Sequence, residues 1–140
     1  MGRSSPGAYN ARMQRAAVCL FFLLATGVTS ADLPLPSVPE RGVACWYGET
    51  HRGKTMANGQ KFDPDRYTAA SWTYPLGSRV RVTLENADQP ARTLTVTITD
   101  RGPARKWVEQ GRIIDLSKAA FAQLAPVEKG LIPVSVQPLP

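Results

Sequence analysis

The stretch TVTITDRGPARKW, residues 95–107, begins as a strand and then breaks. Thr95, Val96, Thr97, Ile98 and Thr99 alternate polar and apolar with the period of two expected of a half-buried strand. Asp100, Arg101, Gly102 and Pro103 follow at once. Gly and Pro are enough to turn a chain; a carboxylate and a guanidinium at a strand's exit call for a second reason. Taken alone, such an Asp is a turn former that bonds its own backbone.

Working outward, the same period recurs. In VACWY (43–47), Val43, Cys45 and Tyr47 share one face and Ala44 and Trp46 the other. SRVRVTL (78–84) points Val80, Val82 and Leu84 inward, and TLTVTIT (93–99) does the same with Leu94, Val96 and Ile98. ENADQPA (85–91) between them has the length of a hairpin loop. RIIDL (112–116) and IPVSV (132–136) complete the apolar strands, Pro133 suggesting an edge or a strand start. One helix is legible: Ser117 caps KAAFAQLA (118–125), Ala120, Phe121 and Leu124 face a core, and Pro126 ends it. Short, evenly spaced strands with a single helix argue for a small barrel rather than a sandwich.

The 140 residues suit one domain preceded by a leader. Arg3, Arg12 and Arg15 precede the apolar run AAVCLFFLLATGV (16–28), and Thr29, Ser30 and Ala31 supply the small residues a signal peptidase reads. The expected organisation is a signal peptide over 1–31, a Pro-rich linker over 32–41 and a folded domain over 42–139. The protein is therefore expected in the periplasm or cell envelope. Cys19 sits too early in the apolar run for a lipid anchor, and the processed chain keeps only Cys45, expected as a small buried strand residue. The formal net charge of +6 includes the three leader arginines, leaving +3, which does not suggest nucleic acid as a partner. One His and one Cys outside the leader, without paired spacing, give no metal site, and no cofactor is expected. Nothing in the sequence asks for an oligomer, so a monomer is expected.

Polar chemistry concentrates in three places: Asn58, Gly59, Gln60, Lys61 and Asp63 around a strong turn signal; Ser71, Trp72 and Tyr74 before a Pro-Leu-Gly turn; and Asp100 and Arg101, with Arg112 and Asp115 downstream. GVACWYG (42–48), TMANGQKFD (55–63), TAASWTYPLGSRVRVT (68–83), VTITDRGP (96–103) and GRIIDLSKAAFAQL (111–124) occur in that order. Together they resemble the rare lipoprotein A (RlpA) family over residues 42–137. The resemblance implies a mainly β fold, a small six-stranded double-psi β-barrel with one short helix. It also implies a lytic transglycosylase that cuts peptidoglycan glycan strands, preferring those without stem peptides and leaving 1,6-anhydro ends. The alternative it implies is a non-catalytic, expansin-like glycan-binding module.

Asp100 matches the family's Asp in D-R-G-P, implying a catalytic acid and base, and Asp63 matches the Asp closing N-G-E-x-F-D, implying a neighbouring catalytic carboxylate. The chain departs from the pattern at Gln60, where the family usually has Glu, and at Ser71, where it usually has His. Neither can move a proton as those residues do, but both can bond a sugar. Asn58, Gln60, Ser71, Trp72, Tyr74 and Arg101 are thus the expected substrate-binding residues, Trp72 or Tyr74 as a stacking platform. Hydrolysis needs two carboxyl groups, whereas an intramolecular attack by the substrate's C6 hydroxyl can run on one used twice. Asp100 is expected to be partly buried and held protonated by desolvation, with Arg101 turned away from it. Arg112 and Asp115 are expected to brace the barrel rather than touch substrate.

Overall fold

The computed structural model describes residues 38–86 and 90–140. The leader and Cys19 lie outside the described residues, as do positions 87–89 of the expected hairpin loop. Six strands close into a barrel: β1 (Glu40–Tyr47), β2 (Thr68–Ala70), β3 (Arg79–Leu84), β4 (Thr93–Asp100), β5 (Arg112–Ser117) and β6 (Ile132–Pro138). Around the barrel the order is β1-β5-β2-β4-β3-β6. β1 pairs parallel with β5 and β2 parallel with β4, and the remaining neighbours are antiparallel. The six-stranded barrel expected from the resemblance is the observed fold.

The alternation read from the sequence fills the barrel. Val80, Val82, Val96 and Ile98 are buried on β3 and β4, Ile114 and Leu116 on β5, and Ile132, Val134 and Val136 on β6. On β1 the inward face is Ala44 and Trp46. Cys45 is therefore not the core residue expected: it lies half-buried on the outer face, its Sγ 3.6 Å from the Trp46 carbonyl. β1 starts at Glu40, two residues ahead of the expected domain start, because Glu40 and Arg41 pair with Val136 and Ser135 of β6. Closure also removes the edge that Pro133 suggested. Pro133 is the second residue of β6 and pairs with Val43, while its carbonyl accepts from Glu85 N at 2.9 Å.

The expected helix is α2 (Lys118–Leu124), with the Ser117 hydroxyl accepting from Ala120 N at 3.3 Å. Ala120, Phe121 and Leu124 plug one end of the core. A second, four-residue helix, α1 (Arg105–Val108), was not expected; it carries no buried residue and so leaves no apolar period in the sequence.

Two β-bulges interrupt the parallel pairings, and both matter for the outer surface. Ala69 pairs with Ile98 but Ala70 pairs with Asp100, so Thr99 is the extra residue on β4. Alternation from Val96 and Ile98 alone would aim residue 100 into the core; the bulge turns Asp100 to the outside. The same slip between Val43 and Ala44 makes Ile113 the extra residue on β5. The Ile113 side chain and the Gly111 carbonyl crowd the backbone at Gly42, where a Cβ would fall 2.6 Å from Ile113 Cγ2; only glycine fits that crossing.

Candidate active site

The bulges align one row of residues across four strands: Asp100 on β4 beside Ala70 on β2, Ala70 beside Asp115 on β5, and Asp115 beside Cys45 on β1. Residues paired this way share a face. Neighbouring strands are spaced roughly 4.8 Å apart, which puts the Asp100 and Asp115 backbones about 10 Å apart with Ala70 between them. The floor is kept low by small residues. Gly102 is buried over Ala70, and a Cβ on it would lie 3.2 Å from Ala70 Cβ and 3.5 Å from Asp115 Oδ2. This is the second reason for the Gly after Asp100-Arg101: the turn must pass close to two neighbouring strands without filling the space between the carboxyls.

The two carboxyls sit in different surroundings. Asp100 is half-buried, and its Oδ1 accepts from Ala57 N at 2.9 Å and from its neighbour Arg101 N at 2.8 Å. Those bonds dock the loop around residue 57 on the strand's exit, helped by Asn58 N donating to the Thr99 carbonyl at 3.2 Å. Asp115 has no such support. Its Oδ1 is buried without a protein partner, and burial pushes its pKa from 3.8 up to about 6, against a smaller downward pull from Arg112. The Arg112 guanidinium lies 4.5 Å from the Trp107 ring centroid. Asp115 is thus not the brace that was expected; it is a desolvated carboxyl at the site.

Tyr47, two residues beyond Cys45 on the same face, completes the group. Its ring stacks on Phe62 at 4.3 Å and meets His51 edge-on at 5.7 Å. Its hydroxyl is buried without a protein partner, and burial, then the charges of Asp100 and Asp115, hold its pKa well above the ordinary phenol value. Tyr47 therefore stays protonated, a hydrogen-bond donor near both carboxyls.

The other expected site residues divide. Asp63, the expected second carboxylate, is tied into a local network: its Oδ1 accepts from Arg52 Nη1 and from Asp65 N, both at 3.0 Å. Arg52 also binds Glu49 and Asp65, so this is an exposed ion-pair hub. Asn58 and Gln60 close their turn on each other, Gln60 N donating to Asn58 Oδ1 at 3.0 Å and Asn58 Nδ2 to Gln60 Oε1 at 3.2 Å. Gly59 occupies the left-handed position there, at φ 84°. Ser71 is fully buried, its Oγ accepting from Thr73 N, so it is withdrawn from any ligand. Tyr74 is 1% exposed and donates its hydroxyl to the Val136 carbonyl at 3.2 Å; it is core, not a platform. Trp72 is 50% exposed, with its indole N–H fixed on the Pro103 carbonyl at 2.7 Å and Arg105 5.4 Å from the ring centroid. Arg101 does turn away from Asp100, but its Nη1 donates to the Ser71 and Tyr74 carbonyls at 2.7 Å each, bracing that turn rather than presenting itself to a substrate.

Sequence reasoning did not group Asp115 and Tyr47 with Asp100, as the structure does. A signal for Asp115 was present: a lone carboxylate inside the apolar run Ile113-Ile114-Asp115-Leu116 costs stability unless it serves something else.

Comparison with known proteins gives the family of the fold. Residues 40–136 match the family described as lytic transglycolase. The chain is 38% identical over 96 residues to the endolytic peptidoglycan transglycosylase RlpA of Campylobacter jejuni, covering 69% of this chain and 32% of that protein. It is 47% identical over 83 residues to the Yersinia pestis protein of the same name, covering 59% of this chain and 21% of that one. The chain thus spans about a third or less of the length of these relatives. Among solved structures, the Streptomyces papain inhibitor superposes with a TM-score of 0.56 at 26% identity, over 78% of this chain and all of that one. With the six-stranded closed barrel and the matched span of residues 40–136, the chain belongs to the RlpA-like double-psi β-barrel family of lytic transglycolases.

Proposed function

We propose that this barrel is a lytic transglycosylase that cleaves peptidoglycan glycan strands, preferring strands without stem peptides, and leaves 1,6-anhydro ends. One observation carries the reading: two carboxyls in unlike surroundings, Asp100 and Asp115, flank a floor of Ala70 and Gly102. Environments that push two acids apart assign them different roles.

Asp115, with a pKa near 6, holds a proton at mildly acidic pH and is the general acid. It protonates the glycosidic oxygen as the C–O bond breaks. Positive charge then develops on the sugar ring, and the Asp100 carboxylate, oriented by two main-chain N–H groups, stabilises it. The C6 hydroxyl of the same sugar attacks the anomeric carbon and gives its proton to the Asp115 carboxylate, which restores the acid. No water is consumed. The expected assignment of Asp100 as acid gives way to this one because Oδ1 of Asp100 is already committed to acceptor bonds, whereas Asp115 is the desolvated group. The unpartnered Tyr47 hydroxyl is available to donate a hydrogen bond to a bound strand, and Trp72, fixed through Pro103 to the turn that follows Asp100, offers a face to a sugar ring.

Mass spectrometry of products tests this. Purified protein incubated with peptide-free glycan strands should release anhydro-ended fragments, and Asp115→Asn and Asp100→Asn should each cut their yield by about 10²-fold or more. Water-added ends would mean that the same two carboxyls activate water and that the enzyme is a hydrolase. Intact strands that co-sediment with the protein would leave the site as a glycan-binding groove.

A further inference from the structure

Beside the carboxylate row lies a second recess, of about 240 Å³, between the loop carrying Gln60 and the outer faces of β2 and β4. It is lined by Thr68, Thr99, Lys61, Arg66 and Tyr67 as well as Gln60 and Asp63. Two features set it apart from an ordinary surface dent. First, the Thr68 and Thr99 hydroxyls are buried and have no protein partner, although Thr99 is only 4% exposed. Folding rarely leaves a buried hydroxyl unmatched, and an unmatched pair lining one recess points to a ligand that matches it. Second, the charge in the recess is positive. Lys61 and Arg66 outnumber Asp63, the one acid in the lining, and Lys61 carries its ammonium 2.8 Å from Thr55 Oγ1. The exposed Arg66 guanidinium makes no hydrogen bond or ion pair among the described residues, so its donors are open to a ligand.

Hydroxyl donors beside Lys and Arg suit a carboxylate. Thr99 is the bulge residue immediately before Asp100, so the recess adjoins the row where the glycan is cut. We propose that this recess binds the free carboxylate of a muramic acid residue and is the determinant that selects strands lacking stem peptides. When a stem peptide is attached, that carboxylate is an amide, which carries no charge for Arg66 and drags a peptide into the recess. The inference rests on the glycan-strand reading above.

The test uses an Asp100→Asn, Asp115→Asn protein, so that no strand is cut, and peptide-free strands in two forms: native, and with the carboxylates reduced to alcohols. Affinity for the native strands should exceed that for the reduced strands by about tenfold or more. Arg66→Gln and Thr68→Val should each erase most of that difference while leaving affinity for the reduced strands unchanged. Thr68→Val also separates function from folding: it replaces an unmatched hydroxyl by a methyl of the same shape, so the thermal midpoint should hold or rise while discrimination falls. Equal affinity for the two forms, or discrimination that survives both substitutions, would overturn the assignment of the recess while leaving glycan binding intact. Failure to bind either form would overturn the glycan reading itself, and this inference with it.

Discussion

Replacing Asp115 by Asn should make the protein more stable and inactive, and the stability gain should depend on pH in a defined way. Burial raises the Asp115 pKa in the folded chain from 3.8 to about 6. Below pH 3.8 the group is neutral in both folded and unfolded chains and contributes no penalty. Between the two values the folded chain holds a proton that the unfolded chain has released, so stability falls as pH rises. Above about pH 6 the full penalty is present. The shift of about 2 units corresponds to up to about 3 kcal/mol at 1.36 kcal/mol per unit, an upper figure because the carboxyl is not wholly excluded from water. The amide that replaces it in the variant does not titrate. The difference in unfolding free energy between variant and parent, measured by urea denaturation at intervals from pH 4 to 7, should therefore grow in favour of the variant by up to that amount. Product formation by the parent should fall across the same interval as Asp115 loses its proton. A difference that stays flat from pH 4 to 7 would refute the desolvation of Asp115, and with it the physical basis for calling it the acid.

Four further substitutions probe other links. Asp100→Asn keeps an acceptor for Ala57 N and Arg101 N and should fold normally while losing activity by about 10²-fold or more, as removal of a charge-stabilising group does. Asp100→Ala strands both donors and should cost a further 1–3 kcal/mol or so of stability by chemical denaturation. Gly102→Ala should cost about 1 kcal/mol as its methyl presses on Ala70 and fills the space beside the Asp115 carboxyl, with a parallel loss of product. Tyr74→Phe should lower stability by about 1 kcal/mol through the lost bond to Val136 and leave glycan cleavage unchanged, whereas a role as a sugar platform would make activity fall instead.

Much of the barrel was legible because its strands obey alternation. Val80, Val82, Val96 and Ile98 point where the period of two sends them, and Ser117 caps the helix it was assigned. Short elements were not legible. β2 is three residues long and α1 four, too few for any period to show. The site was half legible for a different reason. Asp100 could be found because it breaks a strand at a turn, but which face it takes depends on the bulge at Thr99, a property of pairing between strands rather than of either strand alone. Asp115 stays on an ordinary alternation and looks like a brace until β2 is seen between it and Asp100. Ser71 and Tyr74 were misassigned because burial depends on the turn that Arg101 gathers, and no local pattern announces that guanidinium's two carbonyl partners.

The row from Asp100 to Cys45 runs β4-β2-β5-β1, so none of its contacts joins strands that are consecutive in the chain. Loop closure over such separations is slow and comes late, because its entropy is lost before any contact repays it. The proposed chemistry is thereby tied to completion. A chain still emerging or partly unravelled has its acids scattered, Asp115 fully hydrated and ordinary in its proton affinity. The row that the proposed reaction uses is assembled only when the barrel shuts. Such a reaction would be dormant in an unfinished chain, without any inhibitor to hold it back.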